Sequence, residues 1–116
     1  MKAYALARLG KAAPHPDIAQ YLERIQGVLD QFGGRFLIHG GNIDVREGQW
    51  SGDLVLIEFP SLKHAQAFYD SPAYTEIKHL RTNHLTGDLI LVQGVEPDHD
   101  SAAMGAHMRQ AAEQTA

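Results

Sequence analysis

The sequence predicts an α+β fold in which an antiparallel sheet carries helices on one face. Three observations predict it. Short alternating or apolar stretches at residues 2–9, 33–41, 54–59 and 88–95 have the two-residue period that sends side chains to opposite faces of a strand. Between them, residues 17–32 and 62–84 repeat apolar side chains at helical spacing. The resulting order is strand, helix, strand, strand, helix pair, strand. Two split strand-helix-strand units of this kind close as a βαββαβ ferredoxin-like sandwich.

Each element has its own signal. Lys2 to Leu9 sets Tyr4, Leu6 and Arg8 against Ala3, Ala5 and Ala7, and the small face leaves room for a helix to pack closely. Pro14 and Pro16 stop this strand. From Asp17, placed to cap free amides, Ile18, Tyr21, Leu22, Ile25, Val28, Leu29 and Phe32 form the stripe of an amphipathic helix. Gly33 and Gly34 end it. The next strand alternates Arg35, Leu37 and His39 on one face with Phe36 and Ile38 on the other, and Gly40-Gly41 predicts a bend or bulge before a short alternating piece, Ile43 to Val45. After turns at Glu47-Gly48 and Ser51-Gly52-Asp53, Leu54 to Phe59 is almost wholly apolar, as in a strand covered on both faces. Ser61 caps a short helix carrying Leu62, Ala65, Phe68 and Tyr69. Ser71-Pro72 restarts the chain as a second helix with Tyr74, Ile77, Leu80 and His84 along its stripe. Thr86-Gly87 turns into the last strand, Asp88 to Val95, and Pro97 marks its end.

The chain of 116 residues has the length of one domain, assigned to residues 1–95. Residues 96–116 form a polar tail in which Met104, Met108, Ala111 and Ala112 make a faint helical stripe weakened by Gly105; it reads either as a frayed end or as a helix docked on a partner subunit. Hydrophobic residues are 44% and charged residues 21%, the usage of an ordinary globular protein. A formal net charge of -4, with basic residues scattered, argues against nucleic-acid binding. The chain has no cysteine, which removes disulfides, thiolate catalysis and cysteine zinc sites and fits a cytoplasmic location. No apolar run approaches the roughly 20 residues of a membrane span, and no signal peptide is expected. If one sheet face packs the helices, Leu37, Leu54, Leu56, Leu89 and Leu91 are left as an apolar patch on the other. A second copy is the simplest cover, so a homodimer is expected.

Taken together, Gly33-Gly-Arg-Phe-Leu-Ile-His-Gly-Gly41, Leu54-Val-Leu-Ile-Glu-Phe-Pro-Ser61, Ala67-Phe-Tyr-Asp-Ser-Pro-Ala-Tyr74 and Gly87-Asp-Leu-Ile-Leu-Val-Gln-Gly94 resemble the DUF1330 family of small bacterial proteins, in the dimeric α+β barrel superfamily. The resemblance spans about residues 2 to 95. It implies a ferredoxin-like subunit whose sheets pair face to face, and it supplies no reaction, since relatives on this fold include enzymes and proteins that only bind. His39 departs from the family pattern, in which an arginine is expected before the second glycine pair.

Two groups of residues carry the candidate chemistry. Arg35 and His39 share a face by simple alternation, and Glu58 shares the Leu54 and Leu56 face of a neighbouring strand. If those faces coincide, His39 is an acid/base, Glu58 the carboxylate that orients it, and Arg35 an anchor for a carboxylate ligand. The alternative is an Arg35–Glu58 ion pair with a structural or interface role and a histidine that only ends a strand. Trp50, Phe68, Tyr69 and Tyr74, with Arg81 nearby, form a second set suited to an apolar ligand, although Phe68 and Tyr74 equally suit a plain core. The seven histidines show no ligand spacing, for His79 and His84 are five apart on a helix, and neither metal nor cofactor is expected. The expected function is a homodimer with a small-molecule cleft that binds or performs cofactor-independent acid/base chemistry; the alternative is a non-catalytic structural or interaction protein.

Overall fold

In the computed structural model, which describes residues 1–115, the first alternating stretch is strand β1 (Ala3–Leu9). Ala3, Ala5 and Ala7 are buried while Tyr4 and Leu6 are half-buried, so the small side chains do face the helices. Helix α1 (Pro16–Asp30) buries Ile25, Val28 and Leu29. Its cap is His15 and not Asp17: the His15 Nδ1 accepts the Asp17 amide at 3.0 Å. Pro16, which has no amide to satisfy and a φ already suited to a helix, starts the helix early and leaves Asp17 inside the first turn. At the other end the Gly34 amide donates to the Leu29 carbonyl at 3.0 Å, across Gly33 at φ +69°. A Cβ on Gly34 would stand 2.7 Å from the Phe59 ring, so glycine there lets the helix end close onto the sheet.

Strand β2 (Arg35–His39) and strand β3 (Asp53–Phe59) pair antiparallel. Between them, Ile43 to Val45 forms no strand, and Ile43 and Val45 are exposed. That piece has no neighbouring strand to pair with, so its alternation has nothing to bury. Helices α2 (Leu62–Asp70) and α3 (Pro72–Thr82) meet at Ser71. Its Oγ donates to the Phe68 carbonyl at 2.7 Å and accepts the Tyr74 amide at 3.1 Å, closing one helix and opening the next. Strand β4 (Gly87–Gln93) follows, starting one residue before and ending two residues before the stretch the periodicity suggests. Helix α4 (Ala102–Thr115) forms in the tail with none of its described residues buried.

The sheet order is β2-β3-β1-β4, all neighbours antiparallel. It is the ferredoxin-like arrangement, and the sheet is open with β2 and β4 at its edges. Helices α1 and α3 pack together, with α1 against β2 and α2 over β1 and β4. The core between sheet and helices centres on Tyr74, Phe59, Phe68, Ile25, Leu29 and Ile77. The bare face differs in composition from the expectation. Register puts Tyr4 opposite Val92 and Leu6 opposite Ile90, so Ile90 and Val92 lie outside, whereas Leu89 and Leu91 turn toward the helices. The one-residue offset follows from pairing with β1, which a strand read in isolation cannot supply.

Candidate functional site

Strand β2 does not keep its period. Arg35 pairs with Glu58 and Phe36 with Ile57, but Ile38 pairs with Leu56 and His39 with Val55, so Leu37 is an extra residue in a β-bulge. One inserted residue moves every later side chain to the other face. The expected common face of Arg35 and His39 is therefore corrected: Arg35 joins Glu58 on the bare face, and His39 joins Phe36 on the helix side. The Phe36 and His39 rings stack with centroids 4.0 Å apart and planes 5° from parallel.

On the bare face, the Glu58 carboxylate accepts from Lys2 Nζ and Arg35 Nε, each at 3.1 Å. Its side chain is only 13% exposed, whereas those of Lys2 and Arg35 are 60% and 67% exposed. The two cations, Lys2 first, hold the Glu58 carboxyl below the usual carboxylate range.

On the helix side lies an apolar cavity of about 100 Å³ between the sheet, α1 and α3. Ala5, Ala7, Val55 and Ile57 form its floor, Phe68 and Tyr74 part of its wall, and Leu22 and His39, both exposed, its rim. The polar atoms that reach it come from Tyr21, Tyr74, Arg81 and His39. The Tyr21 and Tyr74 hydroxyls are 2.9 Å apart, and the Arg81 Nη2 donates to the Tyr74 hydroxyl at 3.3 Å. The Arg81 guanidinium also lies 5.7 Å from the centre of the Tyr21 ring. Arg81 is 8% exposed, yet among the described residues no carboxylate lies within ion-pair distance of it. Burial works against its charge, and the Tyr74 and Tyr21 hydroxyls outweigh that penalty, leaving its pKa above the ordinary value. Burial likewise pushes the Tyr21 phenol up, so it keeps its proton near pH 7. A buried cation at an apolar wall, with no acidic partner among the described residues, is equipped to receive an anion.

The structure thus gathers His39, Phe68, Tyr74 and Arg81 at one cavity and leaves four of the candidate residues elsewhere. Arg35 and Glu58 lie on the opposite sheet face. Trp50 is exposed in the loop after β2, where its Nε1 donates to the Gly52 carbonyl at 3.1 Å. Tyr69 packs against Tyr74 from outside the cavity, with the Lys78 ammonium 4.9 Å over its ring. The sequence offers Tyr21 as an apolar position of α1 and, with Tyr4, as a further member of the aromatic set, but not its partners. Its role follows from α1 crossing α3, a tertiary contact with no local trace. A further cluster, His15, Asp17 and His84, joins the start of α1 to the segment after α3, with His84 Nε2 2.8 Å from the Asp17 carboxylate.

Comparisons with known proteins match this architecture. A search of curated proteins matched none. Among solved structures, a protein of unknown function from Rhodopseudomonas palustris is similar at 20% identity, with 83% of this chain and 84% of that one covered and a TM-score of 0.58. A dimeric ferredoxin-like protein of unknown function from Jannaschia sp. CCS1 is similar at 10% identity, covering 81% and 100% of the two chains, with a TM-score of 0.56. SnoaB, a cofactor-independent oxygenase from Streptomyces nogalater, is similar at 13% identity over 85% and 98%, with a TM-score of 0.55. At these identities the likeness concerns the fold alone. The family described as "Domain of unknown function (DUF1330)" matches residues 2–95, and the chain belongs to the DUF1330 family.

Proposed function

We propose that the protein is a homodimer whose subunits each bind a small apolar molecule bearing one acidic group, a carboxylate or an acidic enol or phenol, in the cavity beside Arg81. The buried Arg81 guanidinium, which has no carboxylate partner among the described residues, carries this reading. Arg81 takes the anion, the Tyr21 and Tyr74 hydroxyls orient it, and Phe68 and the alanine floor take the apolar part. His39 stands at the rim, exposed to solvent, and serves as the acid/base that passes a proton between ligand and water. A cavity of about 100 Å³ is smaller than the roughly 150 Å³ that holds benzene, so the ligand extends through the opening past His39 and Leu22. Arg35, Glu58 and Lys2 belong to the interface between copies on this reading, on the face that carries Ile38, Ile90 and Val92. Two observations support the reading from outside the chain: one similar structure is described as dimeric, and another is a cofactor-independent oxygenase.

Calorimetric titration with benzoate, butyrate and the neutral benzamide tests the site. An anion-selective cavity binds a carboxylate and ignores benzamide, and Arg81→Met weakens that binding at least about tenfold. Equal binding by wild type and Arg81→Met refutes it. The small cavity volume favours the second reading, a non-catalytic protein whose bare sheet face exists for assembly; failure of every probe together with an intact dimer selects it.

A further inference from the structure

We propose that His15, Asp17 and His84 bind one divalent transition-metal ion at the edge of the cavity. The three side chains come from two places far apart in sequence, and one donor atom from each lies within 4.8 Å of the others. The Asp17 carboxylate is 2.8 Å from the His84 Nε2 and 3.8 Å from the His15 Nδ1, and the two imidazole rings lie with centroids 3.8 Å apart, tilted by 30°. Two imidazoles therefore share a single carboxylate. The backbone on both sides is anchored: the Ala19 amide donates to the His15 carbonyl at 3.2 Å, and the His84 amide donates to the Arg81 carbonyl at 3.0 Å past the end of α3. A site whose ligands are held by separate elements before metal arrives needs only side-chain adjustment to close. His15 is exposed, Asp17 and His84 are half-buried, and all can turn.

The donor set selects the ion. Two imidazole nitrogens and one carboxylate oxygen suit zinc, cobalt, nickel or ferrous iron, and they are a poor match for calcium or magnesium, which prefer oxygen cages. Three protein ligands also leave coordination positions open, the pattern of sites that meet a further ligand and not of closed structural ones. The cluster lies close to the cavity, since Ile18 and Leu85, next in sequence to Asp17 and His84, both line it. The ion would also bridge the start of α1 to the segment leading into β4.

The test uses the full chain, zinc and cobalt as probes, and the variants His15→Asn and His84→Gln. Asparagine preserves a helix cap at position 15, and glutamine preserves a hydrogen-bonding partner for Asp17, so both variants fold. Calorimetry is expected to find one ion per chain, the cobalt form to show visible absorption from nitrogen and oxygen ligation, and a hundredfold excess of zinc over Kd to raise Tm by roughly five to fifteen degrees. Each variant weakens binding at least about tenfold, whereas changing the tail histidines together, His99→Ala with His107→Ala, leaves it unaltered. Binding that survives both site variants, that disappears with the tail histidines, or that never saturates overturns the proposal.

Discussion

The two faces of the sheet are made of alternate residues on the same strands, yet they end in different environments. On the helix side Ala5, Ile57 and Phe59 are 2%, 7% and 0% exposed; on the bare side Ile38, Val92 and Ile90 are 37%, 41% and 54% exposed. Charge divides in the opposite way. The bare face pairs its ions, with Arg8 2.7 Å from Asp88 across strands and Glu58 between Lys2 and Arg35. The helix side holds Arg81, buried and without an acidic partner among the described residues. Folding of one chain requires only one apolar face to be covered. The second apolar face and a buried cation with no acidic partner among the described residues are both more than the folding of one chain requires, which is why each enters the proposals above.

Three experiments break or sharpen this comparison. The largest effect belongs to the covered face. Phe59→Ala removes a fully buried ring that touches Phe68 at a 5.3 Å centroid distance, and it is expected to destabilise by about 3–5 kcal/mol in urea denaturation. A loss below about 1 kcal/mol would mean that this face is not the core. Next is the bare face: Ile90→Glu should leave the circular-dichroism spectrum intact while weakening self-association by at least about 2 kcal/mol, roughly thirtyfold, in sedimentation. An unchanged sedimentation profile refutes self-association through this face.

The smallest effect concerns Glu58. Its folded pKa lies below its ordinary value because of Lys2 and Arg35. The unfolded chain therefore takes up the proton first as pH falls, and the contribution of Glu58 is fully present above the unfolded pKa and lost as pH falls through the folded one. Glu58→Gln should flatten that part of the acid limb of stability and lower stability at neutral pH by the same amount, a small one because cations as exposed as these are screened by solvent. An acid limb identical in the two proteins would show that the pair contributes nothing measurable.

Much of the fold is legible in the chain because it is local. The Ser61 and Ser71-Pro72 starts, the Gly33-Gly34 stop, the alanine face of β1 and the strand and helix order all rest on interactions within a few residues, and each appears where local rules put it. Two local signals misplace their detail. The cap of α1 moved from Asp17 to His15 because Pro16 could begin the helix, and the irregularity near Gly40 fell earlier, at Leu37.

That second displacement separates what the sequence determined from what only the tertiary structure decided. By itself the sequence determined a strand with Arg35, Phe36 and His39 in it, because alternation and glycine punctuation are properties of neighbouring residues. Which face His39 uses depends on the bulge, and the bulge exists only in register with β3. The meeting of Tyr21, Tyr74 and Arg81, and of His15, Asp17 and His84, likewise depends on how α1 lies against α3. Periodicity decides which residues share a face within an element; pairing and packing between elements decide what that face meets.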